Sequence, residues 1–99
     1  MPVEPALTFV AIARIPQQGV GFFQIYEDRV LPILAEYGGQ LERRMRNEDG
    51  TVEMHIVSFP NQAAFDGYSQ DFRRSSQVAM LEKSGAQIEV LLLNDVATD

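Results

Sequence analysis

The chain has 99 residues, no cysteine and a formal net charge of -6 at pH 7. Its length fits one domain, 1–99, with a core expected over about 7–94. The acidic balance argues against a nucleic-acid partner held through its phosphates, and the missing thiols exclude disulfides, thiolate catalysis and cysteine metal sites.

The first residues, Met1-Pro2-Val3-Glu4-Pro5, carry neither the basic nor the apolar segment of a signal peptide. No apolar run approaches a membrane span. A cytoplasmic protein with no membrane partner is expected. Leu7 to Arg14 (LTFVAIAR) is apolar and β-branched and reads as a strand that stops before Ile15-Pro16. After the loop Gln17-Gln18-Gly19, Phe22, Tyr26, Val30, Ile33, Leu34 and Tyr37 recur at helical spacing, so Val20 to Tyr37 is expected to be an amphipathic helix. Pro32 removes the bond to the Asp28 carbonyl and favours a kink or a second start. Gly38-Gly39 ends the helix.

Gln40 to Arg46 is a second strand, Asn47-Glu48-Asp49-Gly50 a hairpin turn, and Thr51 to Phe59 a third strand. Asn61 is the expected N-cap of the next helix, on which Phe65, Tyr68 and Phe72 share a face. The stripe blurs across Arg73-Arg74-Ser75-Ser76, where a break is expected, and resumes at Val78 and Leu81. Gly85 stops the helix, and Gln87 to Asn94 is the last strand.

The order β-α-β-β-α-β is that of the ferredoxin-like α+β arrangement: an antiparallel sheet with two helices on one face. Both faces of the first and last strands are largely apolar. Leu7, Phe9, Ala11 and Ala13 alternate with Thr8, Val10, Ile12 and Arg14, and Ile88, Val90 and Leu92 with Glu89, Leu91 and Leu93. A half-solvated sheet would show one polar face. The simplest cover for the second apolar face is another copy of the chain, giving a homodimer through the sheet face. In the hairpin, Gln40, Glu42, Arg44 and Arg46 share a face with Glu53, His55, Val57 and Phe59, and pairs such as Arg46 with Glu53 are expected. Alternation leaves open which set looks toward the helices.

The run Val30-Leu31-Pro32-Ile33-Leu34-Ala35-Glu36-Tyr37-Gly38-Gly39, then Ile56-Val57-Ser58-Phe59-Pro60-Asn61-Gln62-Ala63-Ala64-Phe65 and Tyr68, resembles an uncharacterised bacterial domain family. That family belongs to the dimeric α/β-barrel superfamily, which includes antibiotic-biosynthesis monooxygenases. The similarity covers most of the chain and consists of turns and core positions. One departure is Ser69-Gln70, where similar sequences carry Ser-Pro. The resemblance implies a dimeric α/β barrel, of a superfamily that holds cofactor-free small-molecule enzymes (monooxygenases, isomerases and cyclases), haem-degrading enzymes and proteins of no known activity. It supplies no catalytic set.

His55 is the only residue whose ordinary pKa lies near neutrality, so it is the candidate general base; the bland alternative is a histidine bonded at the sheet edge. Tyr26 and Tyr68 lie on the inward helix stripes and could frame a pocket between helices and sheet for a small apolar or aromatic ligand. Arg14 and Arg44, with Arg43 and Arg46, could hold an anion or simply pair with Glu42, Glu53 and Glu89. Arg73-Arg74 reads as a solvated helix end, and Phe9, Phe22, Phe65 and Phe72 as core. A lone histidine excludes a two-histidine metal site within one chain, no acidic metal constellation or nucleophile elbow is visible, and no cofactor is expected. Two functions stay open: the enzyme, and a non-catalytic dimeric ligand-binding or accessory module in which His55 and the arginines are consumed in pairs.

Overall fold

The computed structural model describes residues 6–98. The start of the chain weighed for a targeting signal, residues 1–5, and residue 99 lie outside them. Four strands, β1 (Leu7–Arg14), β2 (Gln40–Arg46), β3 (Val52–Phe59) and β4 (Gln87–Leu93), form one antiparallel sheet in the order β2-β3-β1-β4. With its helical crossovers this is the ferredoxin-like α+β fold that the element order predicts.

The first crossover is helix α1 (Val20–Val30), which passes into a 3-10 segment, Leu31–Tyr37. The change falls at Pro32, which has no N–H to continue the α-helical ladder. Gly38, at φ 73°, ends the segment in the left-handed conformation that glycine adopts without strain. The second crossover has three pieces: α2 (Gln62–Gln70), α3 (Phe72–Ser75) and α4 (Val78–Ser84). Asn61 caps α2 as expected, its side-chain oxygen accepting from the Ala64 N–H at 2.9 Å. The break comes at Asp71, which is extended at ψ 128°, before the Arg73–Ser76 stretch where the sequence places it.

Two aromatic expectations are corrected. Phe22 is 42% exposed because α1 turns Phe23, Tyr26, Glu27 and Val30 inward. Phe72 is 77% exposed because the break at Asp71 takes it off the register of α2. The hairpin register is corrected as well. An extra residue in β2 between Leu41 and Arg43 sets Leu41 opposite Val57 and lets Glu42 accept from Ser58 Oγ at 2.6 Å. Only Arg44 and Arg46 of the charged set therefore stay in step with His55 and Glu53.

The structure answers which hairpin set faces the helices. Glu53, His55 and Phe59 are buried beneath them with Phe9 and Ala13. Two apolar clusters form there. One joins Phe9, Leu34 and Phe59 with Phe65 and Tyr68; the other joins Ala13, Ile15 and Phe23 with Val20 and Leu81. Between them on β1 stands Ala11, paired with His55 on one side and Val90 on the other. A methyl group here leaves room that a larger side chain would fill. No helix among the described residues is long and apolar enough to cross a membrane.

Candidate active site

The room above Ala11 is a cavity of about 330 Å³ between α1, α2 and the sheet. Its walls are mostly apolar, from Phe9, Val57, Phe59, Phe65, Ile88 and Val90. Phe9 and Phe65 stack at 4.3 Å between ring centroids, and Phe59 meets Phe65 edge-on at 5.4 Å. Such contacts fix the wall geometry beyond simple burial. The polar side chains reaching the lining are Tyr26, Glu27, His55, Tyr68, Ser69 and Arg74.

His55 Nε2 meets Glu53 Oε2 at 2.5 Å, two residues away on the same face of β3. Glu53, 2% exposed, also accepts from Arg44 Nε at 3.0 Å and from Arg46 at 2.9 Å. Burial alone would push Glu53 up, but the His55 hydrogen bond and Arg44 outweigh it and hold the carboxyl below its ordinary range. Ionised Glu53 therefore accepts the Nε2–H of His55 and leaves Nδ1 as the acceptor nitrogen. Nδ1 lies 3.6 Å from Glu27 Oε2.

Glu27 is the unexpected member. It sits one turn past Phe23 on the buried stripe of α1 and is 5% exposed. Burial first, then the charge of Glu53, raises its pKa to about 7; Arg44 and Arg74 act against the rise. Burial lowers His55, and Glu53 restores only part of the loss. Near neutral pH the site thus pairs an imidazole kept unprotonated with a carboxyl able to hold or release a proton. Separated environments of this kind mark acid–base sites.

Glu27, Glu53 and His55 bring three donor atoms within 4.8 Å of one another, a spacing a metal ion could use. Both Glu53 oxygens are already committed, however, and two guanidinium groups neutralise it. A cation would have to displace those pairs, so the donor set suits proton transfer better than metal binding.

Among the residues singled out from the sequence, His55, Tyr26 and Tyr68 line the cavity. Arg44 stands behind them as a partner of Glu53. Arg14 is exposed at the end of β1, opposite Val52 and Gln87, and does not reach the lining. Glu27 escaped sequence reasoning, although a carboxyl on the apolar stripe of α1 was a legible signal; Glu53 was expected as the partner of Arg46, which it is at 2.9 Å, but not as the partner of His55. Arg74, read as a solvated helix end, is instead a lining residue, because the break at Asp71 turns α3 back toward the cavity.

No family model and no curated protein matches the chain. Solved structures do. SnoaB, a cofactor-independent oxygenase from Streptomyces nogalater, is 18% identical with a TM-score of 0.70, over 94% of this chain and 95% of that one. A protein described as an antibiotic biosynthesis monooxygenase is 16% identical with a TM-score of 0.73, over 92% and 99%. Rv0793 from Mycobacterium tuberculosis is 15% identical with a TM-score of 0.71, over 95% and 100%. At these identities the likeness shows the fold: the chain has the ferredoxin-like architecture of antibiotic-biosynthesis monooxygenase proteins, as the resemblance implies.

Proposed function

We propose that the protein is a small-molecule enzyme that works without a bound cofactor and begins by taking a proton from a largely apolar substrate. His55 is the general base, Glu53 fixes its tautomer and supports the charge it acquires, and Glu27 relays the proton at the cavity wall. Monooxygenation, isomerisation and cyclisation can all start from such a deprotonated substrate. The neighbour described as a cofactor-independent oxygenase favours the first. In that reaction the substrate anion gives its electrons to molecular oxygen, one oxygen atom enters the product and the other leaves as water. The observation carrying this reading is the Glu53–His55 pair at 2.5 Å with the free nitrogen of His55 beside Glu27 in an apolar cavity.

The test is a thermal-shift and oxygen-uptake screen with a panel of quinols and aromatic acids, on wild type and on His55→Asn. Turnover by wild type that falls at least about a hundredfold in the variant, while the thermal shift persists, is expected. Equal turnover by the two proteins, or a panel that neither shifts nor turns over, would end the enzyme reading. A second reading, the non-catalytic binding module, is favoured by the commitment of both Arg44 and Arg46 to Glu53. It retains the thermal shifts and lacks turnover. In either case the working unit is a homodimer joined through the outer sheet face, where Val10, Ile12, Met54 and Ile56 lie opposite the helices and Leu91 and Leu93 are 37% and 47% exposed.

A further inference from the structure

Among the described residues, Arg74 is the only arginine or lysine in the cavity lining. Arg44 and Arg46, behind the site, are committed to Glu53, and Arg73 to Glu36 and Asp71. Among the described residues Arg74 makes no salt bridge; the Tyr26 and Tyr68 hydroxyls and the Glu27 carboxyl are the groups that feel its charge. Its Nε is buried with no hydrogen-bond acceptor, and its Nη1 reaches the Ser69 carbonyl at a long 3.3 Å. A guanidinium N–H shut away from water without an acceptor is costly and rare in finished protein interiors.

The side chain is nonetheless held in place. Its guanidinium carbon lies 4.5 Å from the centroid of the Tyr68 ring, an attraction between cation and π-face. The backbone before it is clasped to the first crossover. The Tyr37 hydroxyl donates to Asp71 Oδ2 at 2.6 Å, and Arg73 donates to Glu36 at 2.9 and 3.1 Å. The clasp fixes the turn at Asp71 and so aims the next arginine at the cavity.

We propose that Arg74 is the anchor for a carboxylate, and that the ligand of this cavity is a monoanion with an apolar, bicyclic-sized body. A carboxylate that draws the guanidinium off the Ser69 carbonyl gives Nε its missing acceptor and completes the two-point fork for which arginine is suited. Phe9, Val57, Phe59 and Phe65 receive the body. At roughly 30 Å³ for each water-sized group, the volume holds about eleven such groups. The proposal rests on the reading of this cavity as a ligand site, and it does not depend on His55 being catalytic.

The test is calorimetric titration with 2-naphthoate and its neutral isostere 2-naphthamide, on wild type, Arg74→Met, Arg74→Lys and His55→Asn. Wild type should bind the acid at least about tenfold more tightly than the amide. Arg74→Met should lose that preference while keeping its affinity for the amide, which also shows that the cavity is intact. Arg74→Lys should keep part of the preference, and His55→Asn all of it. Equal affinity of wild type for acid and amide, survival of the preference in Arg74→Met, or binding of neither compound at millimolar concentration overturns the proposal. A preference that holds while His55→Asn turns substrate over at the wild-type rate removes the acid–base reading and leaves the anion anchor standing.

Discussion

Glu27 offers the sharpest check on the site, because burial there has a calculable thermodynamic consequence. An exposed glutamate in the unfolded chain titrates near 4.5, and in the fold Glu27 is raised to about 7. Between these values the native state holds a proton that the unfolded state has released. Stability contributed by this group is therefore lost as pH rises from about 4.5 to about 7, and is constant outside that window. At 1.36 kcal/mol per pKa unit the loss is about 3 kcal/mol, a large share of a small domain's stability. His55 acts in the opposite sense. Its folded pKa lies below its ordinary value, so it favours the folded state as pH rises toward 6.5. Glu27→Gln separates the two, since the amide mimics the protonated acid and leaves the imidazole present. Urea unfolding of both proteins at half-unit steps from pH 4.5 to 8 gives a difference curve. The variant should gain about 3 kcal/mol relative to wild type across the window and match it within about 1 kcal/mol below it. A flat difference curve would mean that the carboxyl ionises in the fold as it does in water, and the acid–base assignment of Glu27 would fall with it.

The remaining predictions concern the supports of the site and the outer face. Glu53→Gln strands two guanidinium groups, whose side chains are 28% and 40% exposed and so partly rescued by water; a loss of about 2–3 kcal/mol in urea unfolding is expected. In the same variant the lone histidine, followed by NMR, should titrate further below its ordinary value, because the charge supporting its protonated form is gone. Gly19→Ala drives a Cβ into the Ser84 carbonyl where α1 meets α4, and should cost at least about 2 kcal/mol, read as a melting point lowered by roughly 10 °C. Light scattering should give wild type twice the 11.1 kDa chain mass, with Leu91→Lys shifted toward the single mass; a wild-type monomer at micromolar concentration refutes the sheet-face dimer.

The elements and their order were legible because local chemistry writes them. β-branched runs, the Asn61 cap, Pro32 and the two glycines that end helices act within a few residues of themselves. What failed to show were displacements of a single residue. The extra residue in β2 lies in Gln40–Arg46, where Leu41 and Met45 are the only apolar side chains, too few for an alternation that would mark the slip. The inward turn of Phe23 in place of Phe22 is the same kind of ambiguity, because adjacent aromatics satisfy the helical period almost equally.

The site was half legible for a related reason. His55, Tyr26 and Tyr68 stood out by residue type. Glu27 and Arg74 look like surface charges, and Glu53 like a partner of Arg46 alone, until the fold supplies their neighbours. Glu53 becomes a partner of His55 because residues two apart on a strand share a face, and that face is the buried one. Arg74 becomes a lining residue only because the chain turns at Asp71, and that turn is held by Tyr37 and Glu36 from a segment over thirty residues earlier. The charged groups that give the cavity its chemistry are thus placed by tertiary contacts, whereas its apolar walls follow from the same periodicity that builds the core. A chain that kept these strands and helices but lost the Asp71 clasp would retain the cavity and lose the cation beside it.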